Sequence, residues 1–273
     1  MLKTLIMIFI SQFSLSFVYA CAWPLGSNKS YLGINYSISE YNSIFKNRTQ
    51  VNFSPEKITN ESWDLSYYTG LNESDTLILT TKYSNIGAFE PVPGPAVSQV
   101  SDTYLGFKKT YKLGKISAAW ELGYLITGDY QADRITSPGY GESELNFAWH
   151  WAKILTSSDF YSVSARYRKR ANASPNAVQL NFEYGKKLDN KHNARFLIFY
   201  DEQLSGVNLF DPSSGWINFS FHRKDESQLI GGVGFSRKLN STWNLNFLIA
   251  HKFEGRNTDA SDRSISIGIG ASF

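Results

Sequence analysis

Ser264-Ile265-Ser266-Ile267-Gly268-Ile269-Gly270-Ala271-Ser272-Phe273 closes the chain. Ile265, Ile267, Ile269, Ala271 and Phe273 fall on one parity, and Ser264, Ser266, Gly268, Gly270 and Ser272 on the other. Successive side chains of an extended strand point to opposite faces, so this stretch predicts a strand with one greasy face and one small, polar face.

The same period runs upstream. Trp63, Leu65 and Tyr67 alternate with Ser62, Asp64 and Ser66. Ala118, Trp120, Leu122, Tyr124 and Ile126 alternate with Ser117, Ala119, Glu121 and Gly123. Leu145, Phe147, Trp149 and Trp151 alternate with Glu144, Asn146, Ala148 and His150, and Trp243, Leu245, Phe247 and Ile249 with Asn244, Asn246, Leu248 and Ala250. A soluble sandwich also alternates. Three features favour a barrel in lipid instead. The segments are about 10–13 residues long, the length of a tilted membrane strand. Short connections (70–74, 113–115, 156–158, 189–192, 240–242) alternate with longer ones (41–57, 90–101, 128–140, 207–226, 254–262), as tight inner turns alternate with outer loops in outer-membrane barrels. Tyr and Trp gather near segment ends, where interfacial girdles lie. Five short turns with both termini on the inner side give an all-β fold: one transmembrane antiparallel up-and-down β-barrel of about twelve strands.

Composition agrees. In 273 residues, Lys+Arg 27 against Asp+Glu 24 leaves a charge of +3, without the concentrated basic field of a nucleic-acid partner. Charged residues are 19% and aromatics 15%, with a mean hydropathy of −0.29, which excludes both disorder and a helical membrane protein. The single Cys excludes an intrachain disulfide.

Residues 1–20 read as a secretory signal peptide: Lys3, an apolar run from Leu5 to Phe17, then Val18-Tyr19-Ala20. Residues 21–273 are the barrel. Cys21 directly after the cut also fits a lipoprotein site; ordinary cleavage is the preferred reading.

A lipid-facing stripe must be apolar, so the polar stripe faces the lumen. Arg166, Arg168 and Arg170 share one face of one strand, and Glu142, Glu144, Asn146 and His150 share the lumen face of the strand before it. The turn near Ser157 sets Glu144 opposite Arg170 and Asn146 opposite Arg168. Such opposed charges either orient a polar or anionic solute or close a structural network. Asp64, Lys82, Lys108, Glu121, Glu183 and Arg195 are further inward candidates. The Pro-rich stretch 90–95 and the apolar segments 207–210 and 216–219 give two outer loops distinct character.

A barrel hydrolase would need a nucleophile–His arrangement at the bilayer edge. His150, His192, His222 and His251 all lack the His-x-Ser spacing, and His251 reads as interfacial. Phosphate-loop, dinucleotide and metal-ligand motifs are missing from the sequence, so no cofactor and no metal is expected, and the chain reads as a non-enzyme.

These features resemble bacterial outer-membrane β-barrels of Gram-negative cells. The terminal Phe273 resembles the C-terminal signal read by the barrel-assembly machinery, which makes that machinery and outer-membrane lipid the implied partners. More narrowly, Ala22-Trp23-Pro24-Leu25-Gly26 and the strand from Tyr31 resemble the transporter-like family linked to phenol degradation (the MetA-pathway type), whose members are thought to admit small, often aromatic, compounds. Gly26-Ser27-Asn28 stands where that family has Lys-Gly-x-Gly. The leading expectation is a porin-like channel that admits an unidentified small-molecule solute. The rivals are a barrel enzyme acting on lipid or lipopolysaccharide, and a plugged structural or adhesion barrel.

Overall fold

The computed structural model describes residues 22–46, 48–52, 58–86, 97–129, 141–171, 175–204, 226–256, 258–259 and 263–273. Its strands are β1 (Ser30–Tyr41), β2 (Ser43–Lys46), β3 (Thr49–Asn52), β4 (Ile58–Gly70), β5 (Asp75–Ile86), β6 (Val97–Leu113), β7 (Ile116–Thr127), β8 (Glu144–Ile154), β9 (Asp159–Arg170), β10 (Ala177–Lys187), β11 (His192–Gln203), β12 (Ser227–Lys238), β13 (Trp243–Arg256), β14 (Thr258–Asp259) and β15 (Arg263–Ser272).

Twelve of them close a barrel in the order β1-β15-β13-β12-β11-β10-β9-β8-β7-β6-β5-β4, each antiparallel to its neighbours. The seam joins the first and last strands, from Tyr31 opposite Ser272 to Glu40 opposite Arg263. Ser30 N donates to the Phe273 carbonyl (2.8 Å) and Phe273 N to the Ser30 carbonyl (3.0 Å), so the terminal residue the sequence singled out completes the closure.

The distribution of side chains is inside-out for a protein in water. Trp63, Leu65, Leu122, Phe147, Trp149, Trp151, Phe247 and Ile249 cover the outer surface, while Ser37, Ser62, Ser66, Asp64, Lys108, Glu121 and Glu144 are buried within. A belt of this extent is far beyond the patch a soluble monomer tolerates, and lipid is the solvent that suits it. The chain is therefore a transmembrane β-barrel of the outer-membrane type. Two stacked sheets would have produced the converse, an oily centre and a wet exterior. Trp120 Nε1 donates to Tyr111 Oη (3.0 Å) near the short-turn rim, and the Tyr36 and Trp63 rings sit 4.6 Å apart midway along β1 and β4.

The wall departs from the sequence expectation in several places. β6 has 17 residues and β13 has 14, beyond the expected 10–13. β6 starts at Val97, so 97–101, read as loop, is strand. A bulge opposite Thr81 and Tyr83 lets its pairing with β5 continue to Val97 opposite Ile86. That extension has no apolar stripe to betray it. Likewise β13 continues through Glu254 to Arg256, past a bulge at Leu229/Ile230. The connection 41–57 contains β2 and β3, which form a three-stranded sheet with β14 from the connection 254–262. Glu142 is not on a strand: β8 begins at Glu144, and Glu142 lies in the bend before it. The signal peptide, Cys21, the Pro-rich 90–95, most of 128–140, the apolar 207–219 and His222 lie outside the described residues.

Candidate lumen site

The charged lumen wall is built by β7, β8, β9 and β11. β8 and β9 pair with Glu144 opposite Arg170, Asn146 opposite Arg168 and Ala148 opposite Arg166, the register the turn at Ser157 implied. Alternation on β9 turns all three guanidiniums inward, and each finds a carboxylate. Arg170 Nε donates to Glu144 Oε1 (2.8 Å) and its Nη1 to the Pro175 carbonyl (3.1 Å). Arg168 Nη2 donates to both oxygens of Asp201 (2.7 Å each), and its Nη1 lies 3.9 Å from Glu144 Oε2. Arg166 Nη2 donates to Glu121 Oε1 (2.7 Å).

Exposure separates the three. The Arg170 side chain is 0% exposed, Arg168 10% and Arg166 25%. Arg170 and Arg168 are enclosed by their partners, and a buried pair of this kind holds structure. Arg166, deepest of the three from the loop end, keeps a quarter of its side-chain surface exposed.

Around Arg166 the chain assembles a compact polar group. Tyr104 Oη donates to the same Glu121 oxygen (2.5 Å), and the Arg166 guanidinium carbon lies 5.2 Å from the Tyr104 ring centre. His150 Nε2 is 3.2 Å from Glu121 Oε2. Glu121 thus holds Tyr104, Arg166 and His150 together from three sides.

The remaining inward candidates all face the lumen. Asp64 and Lys82 are register partners on β4 and β5. Arg195 Nη1 reaches Glu183 Oε1 at 3.4 Å across β10 and β11. Lys108 Nζ donates to the Trp23 carbonyl (3.2 Å), a partner the strand pattern could not reveal. The sequence reading missed Asp201, which closes on Arg168, and a lumen-side apolar cluster of Leu197, Phe199, Ile230, Leu248 and Ala250. The cluster's signal was present: Leu248 and Ala250 sit on the parity otherwise occupied by asparagine.

The histidines are dispersed. His150 is in the lumen, not at a rim. His251 points outward with its ring edge-on to Phe253 (4.8 Å), as an interfacial residue would. His192 Nδ1 lies 2.7 Å from Asp189 Oδ2 at a short turn, where that contact, with backbone N–H bonds from Lys191 and His192, lowers the Asp189 carboxyl to about 2. The described residues hold no cluster of three or more His, Cys, Asp or Glu arranged for a metal.

No family model matches the chain, and no curated protein does. Solved structures do. An outer membrane channel from Pseudomonas putida F1 superposes with a TM-score of 0.77 over 92% of this chain and 98% of its own, at 12% identity. The NanC porin (TM-score 0.55, 7% identity, 89% and 98% covered) and the KdgM porin (0.54, 8%, 89% and 99%) are more distant. At these identities the likeness is one of fold, and it covers the whole barrel.

Proposed function

We propose that the protein is a channel of the bacterial outer membrane that admits small solutes through a charged lumen. The observation that carries this reading is Arg166: a guanidinium held in place by Glu121 and Tyr104, on a side chain that stays partly exposed within a closed barrel. A pore-lining charge that is fixed and solvated orients a polar or anionic solute without binding it too tightly to release. The structural neighbours, an outer membrane channel and two porins, support the same reading.

The resemblance of 22–26 to the transporter-like family linked to phenol degradation extends the proposal to small aromatic solutes. The cluster of Leu197, Phe199, Ile230, Leu248 and Ala250 gives the lumen an apolar wall section suited to such a ring. The enzyme reading finds no support in the placement of the histidines. A structural barrel is the second reading, favoured by the closure of Arg168 and Arg170 on Glu144 and Asp201.

Planar-bilayer conductance and liposome swelling test the proposal. Reconstituted protein should pass ions and small solutes above the protein-free rate, with a selectivity that depends on Arg166. A folded barrel that conducts in none of its forms, wild type or variant, refutes it.

A further inference from the structure

One short pattern occurs twice in the second half of the chain. Tyr184-Gly185-Lys186-Lys187-Leu188 and Phe235-Ser236-Arg237-Lys238-Leu239 each run an aromatic, a small residue, two cations and a leucine into a short turn. The first copy ends β10, the second ends β12, and β11 pairs with both strands. The copies therefore stand side by side on the short-turn rim, which in an outer-membrane barrel faces the periplasm. Lys191 of the turn after the first copy joins them, its carbonyl accepting from Lys238 N (2.7 Å).

Lys186, Lys187, Lys191, Arg237 and Lys238 are all exposed, and none forms an ion pair among the described residues. The nearby acids are engaged otherwise. Asp189 lies 2.7 Å from His192 Nδ1 and accepts N–H bonds from Lys191 and His192. Asp159 is the register partner of Lys186, yet its oxygens accept from Thr156 Oγ1 (3.1 Å) and Ser158 Oγ (3.2 Å).

Alternation turns two of these cations toward the bilayer. Leu180, Phe182, Tyr184 and Lys186 share the outward parity of β10, and Val233, Phe235 and Arg237 share that of β12. Each greasy stripe thus ends in a cation where hydrocarbon gives way to headgroups. Between them β11 presents Ala194, opposite Lys186 on one side and Phe235 on the other. Nearer the rim His192 is opposite Arg237, and its ring stacks on Phe235 (5.5 Å, 24°). The small Ala194 side chain leaves a low point in the outer wall, framed by Lys186, His192 and Phe235. Lys186 and Arg237 are two strands and two residues apart, roughly 12 Å between Cα atoms, so both long side chains can meet over that low point. Leu188 (54% exposed), Leu239 (47%) and Trp243 (42%) border it with the apolar surface that an interface suits. The β6–β7 turn differs: Lys112 and Lys115 are exposed there, but Lys112 follows the lumen parity of Lys108 and Thr110.

We infer that this face is a binding site for an anionic phospholipid of the periplasmic leaflet. The phosphate sits between Lys186 and Arg237, Lys187, Lys191 and Lys238 add to the field around the headgroup, and the acyl chains lie along Phe182 and Phe235. Charge complementarity and place select this occupant. Cations at the ends of lipid-facing stripes meet a lipid phosphate, whereas a protein in the periplasm would meet the turn tips. A zwitterionic lipid brings its own cation to the same spot and gains less. The site does not depend on whether the lumen conducts.

Native mass spectrometry of folded, heat-modifiable barrels titrated with phosphatidylglycerol or phosphatidylcholine tests the site. Wild type should prefer phosphatidylglycerol, and the preference should shrink as salt is raised, a readout that needs no variant. A basic side chain at an anionic surface contributes roughly fivefold to binding, so Lys186→Gln/Arg237→Gln should weaken phosphatidylglycerol about 25-fold and barely move phosphatidylcholine. The exchange Lys186→Arg/Arg237→Lys should keep the preference. Lys112→Gln/Lys115→Gln removes the same charge from the β6–β7 turn and should leave both lipids as they were. A wild type without preference, or an equal loss in the two glutamine pairs, overturns the site. Polyglutamate added to barrels in phosphatidylcholine vesicles stands in for the rival occupant, an acidic protein. Its binding should survive Lys186→Gln/Arg237→Gln; if that pair abolishes it and leaves the lipid preference intact, the patch is a protein dock and the lipid site is refuted.

Discussion

Replacing Glu144 by Gln separates the structural arginines from the solute-facing one. Glu144 is buried, accepts from Arg170 Nε at 2.8 Å and faces Arg168 Nη1 at 3.9 Å. The glutamine keeps the volume and one acceptor but removes the charge opposite a guanidinium that is 0% exposed. Breaking a buried pair by neutralising one partner costs about 3–5 kcal/mol. Arg170 retains the Pro175 carbonyl, and Arg168 retains both Asp201 oxygens, which places the cost near the lower end, about 3 kcal/mol. With a urea slope of about 3 kcal/mol/M, the unfolding midpoint in lipid vesicles falls by about 1 M. The double variant Glu144→Gln/Arg170→Gln removes both charges and should regain most of the loss. Tryptophan fluorescence against urea reads both. A midpoint unchanged in Glu144→Gln, or a double variant worse than the sum of the singles, would show that the ladder's upper rungs do not hold the barrel.

Arg166→Gln should change selectivity more than stability: the reversal potential in a salt gradient moves toward cations as the lumen guanidinium is lost and Glu121 is left with Tyr104 and His150. An unchanged reversal potential would remove Arg166 from the solute path. The Asp189 carboxyl sits at about 2, below its ordinary value, through His192 and the turn N–H groups. A depressed acid stabilises the fold above its unfolded value near 4 and loses that contribution as pH falls toward about 2. The urea midpoints of wild type and Asp189→Asn should therefore differ at pH 5 and converge near pH 2. Ordinary cleavage before Cys21 leaves a free N-terminal thiol, so mass spectrometry of the mature protein should find Cys21 unacylated, and a diacylglyceryl adduct would establish the lipoprotein site instead.

The barrel was legible because lipid imposes a strict rule on half the residues. Leu145, Phe147, Trp149 and Trp151 must all be greasy, so their parity survives in the sequence. The rule ends where lipid ends. β6 between Val97 and Asp102, the last residues of β13 and the sheet of β2, β3 and β14 stand on polar sequence, where ladder hydrogen bonds form without a stripe to mark them. In the site, the β8–β9 register was readable because a tight turn fixes it, and Glu144–Arg170 followed directly. Asp201 on Arg168 and Glu121 on Arg166 were not, because those pairs reach beyond the adjacent strand, and inter-strand distance inside a barrel is not written in any local pattern. Trp23 against Phe160 of β9 is the extreme case: the two are 137 positions apart, and Trp23 lies on no strand.

Glycine on the lumen face does specific work at Gly123, and a substitution there tests how Arg166 is held. The Tyr104 ring lies over Gly106 and Gly123, and a methyl group on Gly123 would fall within the ring. The ring's resting place sets Oη against Glu121, and Glu121 in turn fixes Arg166. Gly123→Ala forces the ring aside, an overpacking that costs about 1–3 kcal/mol, and frees the Glu121 oxygen that Tyr104 shared with Arg166. The guanidinium then has its counter-ion more to itself, so anion preference in bilayers should weaken even though no charge has been removed. The cause is checked in a Tyr104→Leu background, where there is no ring to displace. There Gly123→Ala should cost less than about 0.5 kcal/mol and leave the reversal potential where Tyr104→Leu alone put it. Equal penalties in the two backgrounds would mean that the methyl group meets something other than the ring, and the chain of support from glycine to tyrosine to glutamate to arginine would be broken at its first link.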